Sequence, residues 1–319
     1  MDFIRSKFGA RSTARDVVQG HDLTGRSVIV TGGATGLGLE TARALAEAGA
    51  DVLLAVRKPE LAASALASIE TTAPGKASWG MLDLADLKSV RDFVERWGDR
   101  PLNILVNNAG VMACPQSYTE DGFEMQIGTN HFGHYLLSIL LAPQLRRGAD
   151  KSGVHSRVVS VSSGGHRRAN IDLEDPNFER TPYDRWQAYG RSKTANVLFA
   201  VAFDERFKAH GIRANALAPG RILTPLQRHM TREELIARGA FDERGVLAPD
   251  MKSPEQGAAT SVWAAMGDEL SDQGGLYLYD GAQAPRASAS NPNGVESYAL
   301  DPASAAELWE FSRRAVQAA

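Results

Sequence analysis

Tyr189 and Lys193 are the residues whose types and spacing most directly suggest chemistry. They stand four positions apart in a segment with helical periodicity, so their side chains share one face of a predicted helix. A free phenol titrates at about pH 10, and a neighbouring ammonium group favours the phenolate and lowers that pKa. The pair could therefore exchange a proton with a substrate. A Tyr-x-x-x-Lys pair also arises by chance, so its meaning depends on what else the chain carries.

A second feature is a glycine-rich turn between a short apolar run and a helical segment. Gly32, Gly36 and Gly38 form a Gly-x-x-x-Gly-x-Gly pattern, with Thr35 and Leu37 in the same loop. Glycines at such a turn let the backbone approach a pyrophosphate and let the helix pack on the strand, while free N–H groups at the helix start face the anion. A tight turn without a ligand is the alternative, but the strand and helix flanks favour a dinucleotide site.

The residue after the second predicted strand indicates which dinucleotide is bound. An acid about 20 residues beyond the glycines is typical of NAD sites, and a nearby arginine is typical of NADP sites. Here the strand ends at Val56 and Arg57 follows, with no acid before Glu60. Arg57 can pair with a 2′-phosphate through two hydrogen bonds, although a solvated surface arginine is the alternative. The sequence therefore favours NADP(H) and leaves NAD(H) as the second choice.

The elements that must position these residues alternate along the chain. Short, continuously apolar runs are typical of strands covered on both faces, and longer segments with helical periodicity separate them. The pattern predicts an α/β fold, a Rossmann-type doubly wound parallel sheet of about seven strands with helices on both faces. The predicted strands begin at residues 27, 52, 77, 102, 157, 212 and 275, and the predicted helices span 37–48, 61–69, 87–97, 123–147, 186–208 and 257–266.

Small and polar residues stand at the ends of several of these predicted strands. The segment Asn-Ala-Gly at 108–110 follows the fourth strand, Ser162 and Ser163 follow the fifth, and Pro-Gly at 219–220 follows the sixth. Ligands bind at the carboxyl ends of the strands in open α/β sheets. This order along the chain therefore brings the glycine turn, the serines and the Tyr-Lys pair to one site.

Together these motifs resemble the short-chain dehydrogenase/reductase family, and in particular its retinol-dehydrogenase-like branch. The segments that carry the resemblance are 31–38, 107–115, 130–137, 159–163, 188–196 and 218–224. The resemblance implies an oxidoreductase, an alcohol dehydrogenase or carbonyl reductase, in which a nicotinamide cofactor carries the hydride. It implies a catalytic tetrad of Asn130, Ser163, Tyr189 and Lys193. Beyond the glycine loop and Arg57, the cofactor contacts that it implies are Asp83, Leu84, Asn108, Ala109, Gly110, Tyr189, Lys193, Pro219, Gly220, Ile222 and Thr224.

The same resemblance implies a role for each member of the tetrad. Tyr189 would be the general acid in reduction and the general base in oxidation, and Ser163 would hydrogen-bond the substrate oxygen. Lys193 would also hold the nicotinamide ribose, and Asn130 would support a water chain that reaches Lys193. The interval between Ser163 and Tyr189 is longer than in compact members of the family, because a polar loop intervenes. The choice of Ser163 rests on the motif alone, so Ser162 stays open as the alternative serine.

Composition limits the other classes of protein. The 319 residues carry 35 basic and 38 acidic side chains, a formal net charge of −3, so a broad nucleic-acid surface is not expected. The single cysteine, Cys114, excludes an intramolecular disulfide and fits a reducing cytoplasm; we expect it at the pocket edge. No apolar run is long enough for a membrane span. We expect one domain over 1–319, with a leader over 1–24 and a substrate lid over 226–253.

Several functional alternatives remain at this stage. The apolar residues of the lid predict a lipophilic ketone or secondary alcohol, but a C=C reductase or an epimerase would use the same Tyr-Lys pair, and a nucleotide-binding regulator would keep the fold without turnover. His131 and His134 lack a further ligand for a metal site, and His166 lacks the Gly-x-Ser-x-Gly elbow of a hydrolase. The family often forms homodimers or homotetramers through the two long helices predicted here, although the branch also includes monomers.

Overall fold

One sheet of eight strands runs through the computed structural model, which describes residues 3–242, 244–291 and 294–319. Its spatial order is β3-β2-β1-β4-β5-β6-β7-β8. The first seven strands are parallel, and β8 pairs antiparallel with β7. The strands are β1 (Ser27–Thr31), β2 (Asp51–Val56), β3 (Ala77–Met81), β4 (Ile104–Asn107), β5 (Ser156–Val161), β6 (Ile212–Ala218), β7 (Tyr277–Tyr279) and β8 (Ala282–Gln283). The predicted doubly wound sheet is confirmed, with one short edge strand added.

Helices cover both faces of this sheet. They are α1 (Ala14–Val18), α2 (Gly36–Glu47), α3 (Pro59–Glu70), α4 (Leu87–Trp97), α5 (Met125–Ile127), α6 (Gly133–Leu140), α7 (Ala142–Ser152), α8 (Arg185–Phe207), α9 (Arg232–Ala237), α10 (Pro254–Met266) and α11 (Pro302–Ala318). No helix among the described residues combines the length and apolar character that crossing a membrane requires.

The core consists of two apolar layers, one on each face of the sheet. Alternate residues of a strand point to opposite faces, and β1 shows this directly. Val28 and Val30 pack in the layer under α1, α2 and α10, whereas Ile29 packs in the layer under α4, α6, α8 and α11. Both faces of the central strands are therefore buried, which is why their sequences are continuously apolar.

The strand order reverses at β1, and this reversal positions the site. The chain leaves β1 to one side to form β2 and β3, and then returns to the other side of β1 to form β4. The connections that follow β1 and β4 therefore diverge and leave a crevice beyond the carboxyl ends of these strands. The glycine loop follows β1 and the segment 108–110 follows β4.

The predicted continuous helix over 123–147 is wrong. The segment contains α5, a π-helical turn (Gly128–Phe132), α6 and then α7, which continues to Ser152. Gly148 does not end a helix; a Cβ there would collide with the carbonyl oxygen of Leu102, so glycine permits α7 to pack closely against that loop. The terminating residue is Gly153, whose φ of 70° is in the left-handed region.

Candidate active site

A cleft of about 1170 Å³ lies beyond the carboxyl ends of the central strands. It is larger than the roughly 300–1,000 Å³ typical of a small-ligand pocket, so an extended cofactor and a substrate can share it. Every cofactor-binding or catalytic residue named from the sequence lines this cleft except Asn130. Motifs that are far apart along the chain therefore meet at the surface of one cleft.

The glycine loop fits a pyrophosphate. Gly32 and Gly36 have φ values of 64° and 54°, which favour glycine. A Cβ on Gly38 would come within 2.5 Å of the Asn108 side-chain nitrogen, so this position also requires glycine. Helix α2 begins here with Thr35 as its N-cap, and the Thr35 side chain makes no capping hydrogen bond. The first N–H groups of α2 are thus available to an anion at the positive end of the helix dipole.

Arg57 and Asp83 lie in the part of the cleft next to β2 and β3. Arg57 directly follows β2 and is exposed, as is Lys58 beside it. Asp83 accepts a hydrogen bond from the Ala85 N–H through one carboxylate oxygen (2.9 Å). A guanidinium and a carboxylate thus flank the region where the resemblance expects an adenosine.

The segment after β4 is held to β1 by Thr31. The Thr31 hydroxyl accepts hydrogen bonds from the N–H groups of Asn108 (2.9 Å) and Ala109 (3.0 Å), and the Asn108 amide donates to the Thr31 carbonyl (2.8 Å). The side-chain amide of Asn108 therefore holds the ends of β1 and β4 together. Gly110 follows, at a point where a Cβ would come within 2.9 Å of the Asn130 amide oxygen.

Tyr189 and Lys193 are both buried on α8 and face the cleft. The Lys193 ammonium donates to the carbonyl oxygen of Val161 (3.0 Å), at the end of β5, and lies 5.8 Å from the centroid of the Tyr189 ring. Burial lowers the pKa of Lys193 to about 8. Burial also raises the pKa of Tyr189 to about 12, opposed by a hydrogen bond with Ser163. The expected lowering of the phenol pKa by Lys193 is not seen in this arrangement; burial dominates the pKa of Tyr189, and the hydrogen bond with Ser163 opposes it.

The two serines after β5 have different partners. Ser162 is buried, and its hydroxyl donates to the Lys193 carbonyl (2.7 Å). Ser163 is only half-buried; its hydroxyl accepts from the Gly165 N–H (3.0 Å) and also interacts with Tyr189. This geometry favours Ser163 over Ser162 as the serine that meets a substrate oxygen.

Asn130 differs from the other predicted site residues. It is fully buried within the π-helical turn, and its side chain does not line the cleft. Its amide oxygen accepts from the Val111 N–H (2.8 Å), and its amide nitrogen donates to the Val111 carbonyl (3.0 Å) and the Ser192 hydroxyl (2.9 Å). The side chain therefore positions the loop after β4 against α8. Its part in a water chain stays a prediction.

The segment after β6 closes the side of the cleft opposite the glycine loop. Pro219, Gly220, Ile222 and Thr224 all line it. Gly220 has a φ of 100°, and a Cβ there would press on the Lys252 side chain. Lys252, which the sequence did not single out, is buried, donates to the Pro219 carbonyl (3.3 Å) and pairs with Asp280. It therefore anchors the turn that the resemblance assigns to the nicotinamide.

The structure places two further residues in this region of the fold. Trp186, one turn before Tyr189 on α8, lines the cleft and, like Leu226 and Met230, packs against the cluster of Met112 and Tyr189. Cys114 was expected at the pocket edge; it is buried away from the cleft lining, and burial raises the pKa of its thiol. The spacing Trp-x-x-Tyr, which places both rings on one helix face, was the available signal for Trp186.

The chain belongs to the short-chain dehydrogenase family, since the model of the family described as "short chain dehydrogenase" matches residues 26–235. A "Probable oxidoreductase" of Streptomyces lividans is 47% identical over 295 residues, covering 91% of this chain and 97% of that protein. Retinol dehydrogenase 13 of Homo sapiens is 40% identical over 276 residues, covering 83% and 80%. The resemblance inferred from the motifs is confirmed, and the family and these relatives identify the chain as an oxidoreductase.

Solved structures show the same fold. A crystal structure of an uncharacterized protein from Mycobacterium paratuberculosis has a TM-score of 0.73 and 35% identity, covering 96% of this chain and 98% of that one. The NADP active-site complex of RhlG from Pseudomonas aeruginosa has a TM-score of 0.63 and 28% identity, covering 82% and 96%. The neighbours therefore include a protein of this fold with NADP bound.

Proposed function

We propose that this protein transfers a hydride between NADP(H) and a carbonyl compound or secondary alcohol, with Tyr189 as the general acid and base. The observation that carries the proposal is the meeting of Tyr189, Ser163 and Lys193 in the same cleft as an uncapped, glycine-rich helix N-terminus. Acid–base groups beside a dinucleotide site are what carbonyl reduction requires, because hydride goes to carbon and a proton goes to oxygen.

The cofactor supplies or accepts the hydride; the residues of the chain handle the proton and the orientation. The raised pKa of Tyr189, about 12, keeps its phenol protonated near neutral pH and ready to donate to a substrate oxygen in reduction. Ser163 donates a hydrogen bond to the same oxygen and so holds the carbonyl beside Tyr189. In oxidation the phenol must first lose its proton to act as the base, and the hydrogen bond with Ser163, which lowers the pKa of Tyr189, favours that step.

The proposed preference for NADP(H) rests on Arg57. Its guanidinium is exposed in the cleft, directly after β2, and no residue in the described part of the chain forms an ion pair with it. NAD sites instead place an acid near this position. The NADP complex of RhlG supports the capacity of this fold for that cofactor.

Replacing Arg57 tests this preference. We expect Arg57→Ala to raise the Kd for NADPH by about tenfold or more, because a charge-assisted pair with the 2′-phosphate is lost, and to leave the Kd for NADH nearly unchanged. Cofactor fluorescence titration measures both constants. An equal loss for NADPH and NADH would contradict the assignment of Arg57 to the 2′-phosphate.

The proposed substrate has an apolar part. Met112, Trp186, Leu226 and Met230 form an apolar wall beside Tyr189, and two of them come from the segment predicted to be a lid. Leu235, Ala240 and Met251 of that segment also line the cleft, whereas Val246 is 61% exposed and faces solvent. The segment therefore supports a lipophilic contact through some of its apolar residues and not through others. We place the reaction in the cytoplasm, on the ground of the single, unpaired cysteine.

The position of the transferred hydrogen tests the proposed reaction. The protein is incubated with NADPH deuterated on its transferable C4 position and a panel of apolar ketones, aldehydes and enones, and the products are analysed by mass spectrometry. We expect deuterium on the carbinol carbon. Deuterium on a former alkene carbon would instead indicate C=C reduction. Epimerisation would give no net cofactor oxidation, and a nucleotide-binding regulator would give no product.

A further inference from the structure

The cleft carries a local excess of positive charge. Among its lining residues, basic side chains outnumber acidic ones ten to three, although the whole chain has a formal net charge of −3. Two of the three carboxylates are already paired, Asp250 with Arg221 (2.5 Å) and Asp280 with Lys252. Walls of one charge sign concentrate ligands of the opposite sign. A cofactor phosphate accounts for part of this excess, at Arg57 and its neighbours.

Two of the basic residues that line the cleft, Arg168 and Arg238, lie next to the ring of Trp186. The Arg238 guanidinium carbon is 3.4 Å from the centroid of that ring, and the Arg168 guanidinium carbon is 5.6 Å from it. Trp186 belongs to the apolar wall that includes Tyr189. Both guanidinium groups therefore sit at the outer end of the wall that the substrate would contact, and the indole ring restrains Arg238 by a cation–π contact.

Neither guanidinium forms an ion pair with a carboxylate in the part of the chain that the structure describes, although Glu234 and Asp184 lie near enough to oppose in part the lowering of the Arg238 pKa by burial. Neighbouring arginines are paired: Arg185 with Glu234 and Arg191 with Asp172 (3.1 Å). Arg168 and Arg238 have no such carboxylate partner in the described ranges. The two lie close enough for Arg168, after burial, to lower the pKa of Arg238.

A hollow of about 550 Å³ lies beside these two side chains. It is lined by Arg168, Glu234, Ala237 and Arg238, and it adjoins the main cleft through the two arginines. The Glu234 carboxylate on its wall is engaged with Arg185. The hollow therefore offers two unpaired planar donors and room for an anionic group. A carboxylate accepts paired hydrogen bonds from a guanidinium, which gives both affinity and orientation.

We propose that Arg168 and Arg238 bind a carboxylate carried by the substrate at the end remote from its carbonyl group. The substrate class is then an oxo acid or hydroxy acid with an apolar middle, which lies along Trp186 and Met230 while the carbonyl meets Tyr189. The inference rests on the proposed function for the identity of the reacting end. It replaces a purely lipophilic substrate with one that carries a terminal negative charge.

Binding of a matched acid and ester tests this site without turnover. The probes are 7-oxooctanoate and its methyl ester, titrated calorimetrically into the protein saturated with NADP⁺, which cannot reduce a ketone. We expect the acid to bind at least about tenfold more tightly than the ester, as a charge-assisted hydrogen bond predicts. In Arg168→Gln/Arg238→Gln that ratio should fall towards one. Arg232→Gln removes a charge from α9, whose C-cap is Arg238, at a position outside the cleft lining, and it should keep the ratio.

The outcomes separate this proposal from the proposed function. Equal binding of acid and ester to the wild type, or an acid preference that survives in the double variant, would overturn the carboxylate site. The single variant Arg238→Gln, at an exposed position, guards against misfolding of the double variant and should lower the ratio by itself. The same two ketones are then offered with NADPH. Preferential binding of the acid without NADPH oxidation would contradict the reductase function and leave the carboxylate site standing.

Discussion

Adjacent serines at the end of β5 illustrate how one residue step changes a role. Ser162 points into α8 and bonds the backbone of Lys193, whereas Ser163 turns towards the cleft and Tyr189. Both residues line the cleft, but successive side chains of an extended segment point to opposite sides, so the two hydroxyls have different partners. The local sequence shows both serines but does not show which way each side chain points at the end of β5.

Replacing each serine separately distinguishes these roles. We expect Ser163→Ala to lower kcat by about a hundredfold, because a donor to the reacting oxygen is lost. Ser162→Ala removes a buried hydrogen bond; its main effect should be a loss of about 1 kcal/mol of unfolding free energy, with a much smaller loss of kcat. Steady-state kinetics and urea unfolding measure both variants. The reverse order of kcat losses would contradict the assignment of Ser163.

Helix α11, which was not predicted from the sequence, packs against α6 and α8. Its Trp309 packs against Tyr135 (ring centroids 4.9 Å apart) and Phe199 (6.4 Å), and Arg206 lies over the same indole ring (4.5 Å). This helix therefore covers the faces of α6 and α8 that were expected to form a dimer interface. Asp301 as N-cap, Pro302 in the first turn and apolar residues at helical spacing were a readable signal for α11.

Other elements explain where prediction from sequence succeeds and fails. The strand ends and the glycine loop were predictable, because a buried parallel strand and an uncapped helix start each leave a local pattern. The π-helical turn was not, since its cause is tertiary: Asn130 must reach both Val111 and Ser192. Likewise, Lys252 and Arg238 join the site through long-range packing, for which a single sequence holds no spacing signal.

Across the whole molecule, three buried histidines connect stability to pH. His131 bonds Ser312 of α11 (2.7 Å), His134 bonds Thr31 of β1 (2.9 Å), and His166 accepts a hydrogen bond from the Glu296 N–H (3.2 Å). Burial lowers their pKa values to about 3, 4 and 4. In the folded protein they are thus neutral contacts between distant elements. Among the described residues, none of these histidines belongs to a group of three or more side chains that could bind a metal ion.

These histidines predict loss of stability in acid. The unfolded chain takes up a proton on each below about pH 6.5, whereas the folded protein does so only near pH 4 or lower, so stability falls as the pH falls through this window. The expected slope is roughly 1.4 kcal/mol per pH unit for each histidine. Urea unfolding at several pH values measures it; His131→Gln should reduce the slope, and His210→Gln, at an exposed position, should not. A stability that is constant between pH 7 and pH 5 would contradict this account.

The central claim is that Tyr189 transfers the proton during carbonyl reduction in this cleft. Tyr189→Phe keeps the ring that packs with Met112 and Trp186 and removes only the hydroxyl. The decisive measurement is the rate of NADPH oxidation by this variant and by the wild type with the same ketone at pH 7. We predict a loss of about a hundredfold to ten-thousandfold in kcat, the usual contribution of a general acid, while NADPH still binds. A Tyr189→Phe protein that turns over within about twofold of the wild type, far short of such a contribution, would contradict the account.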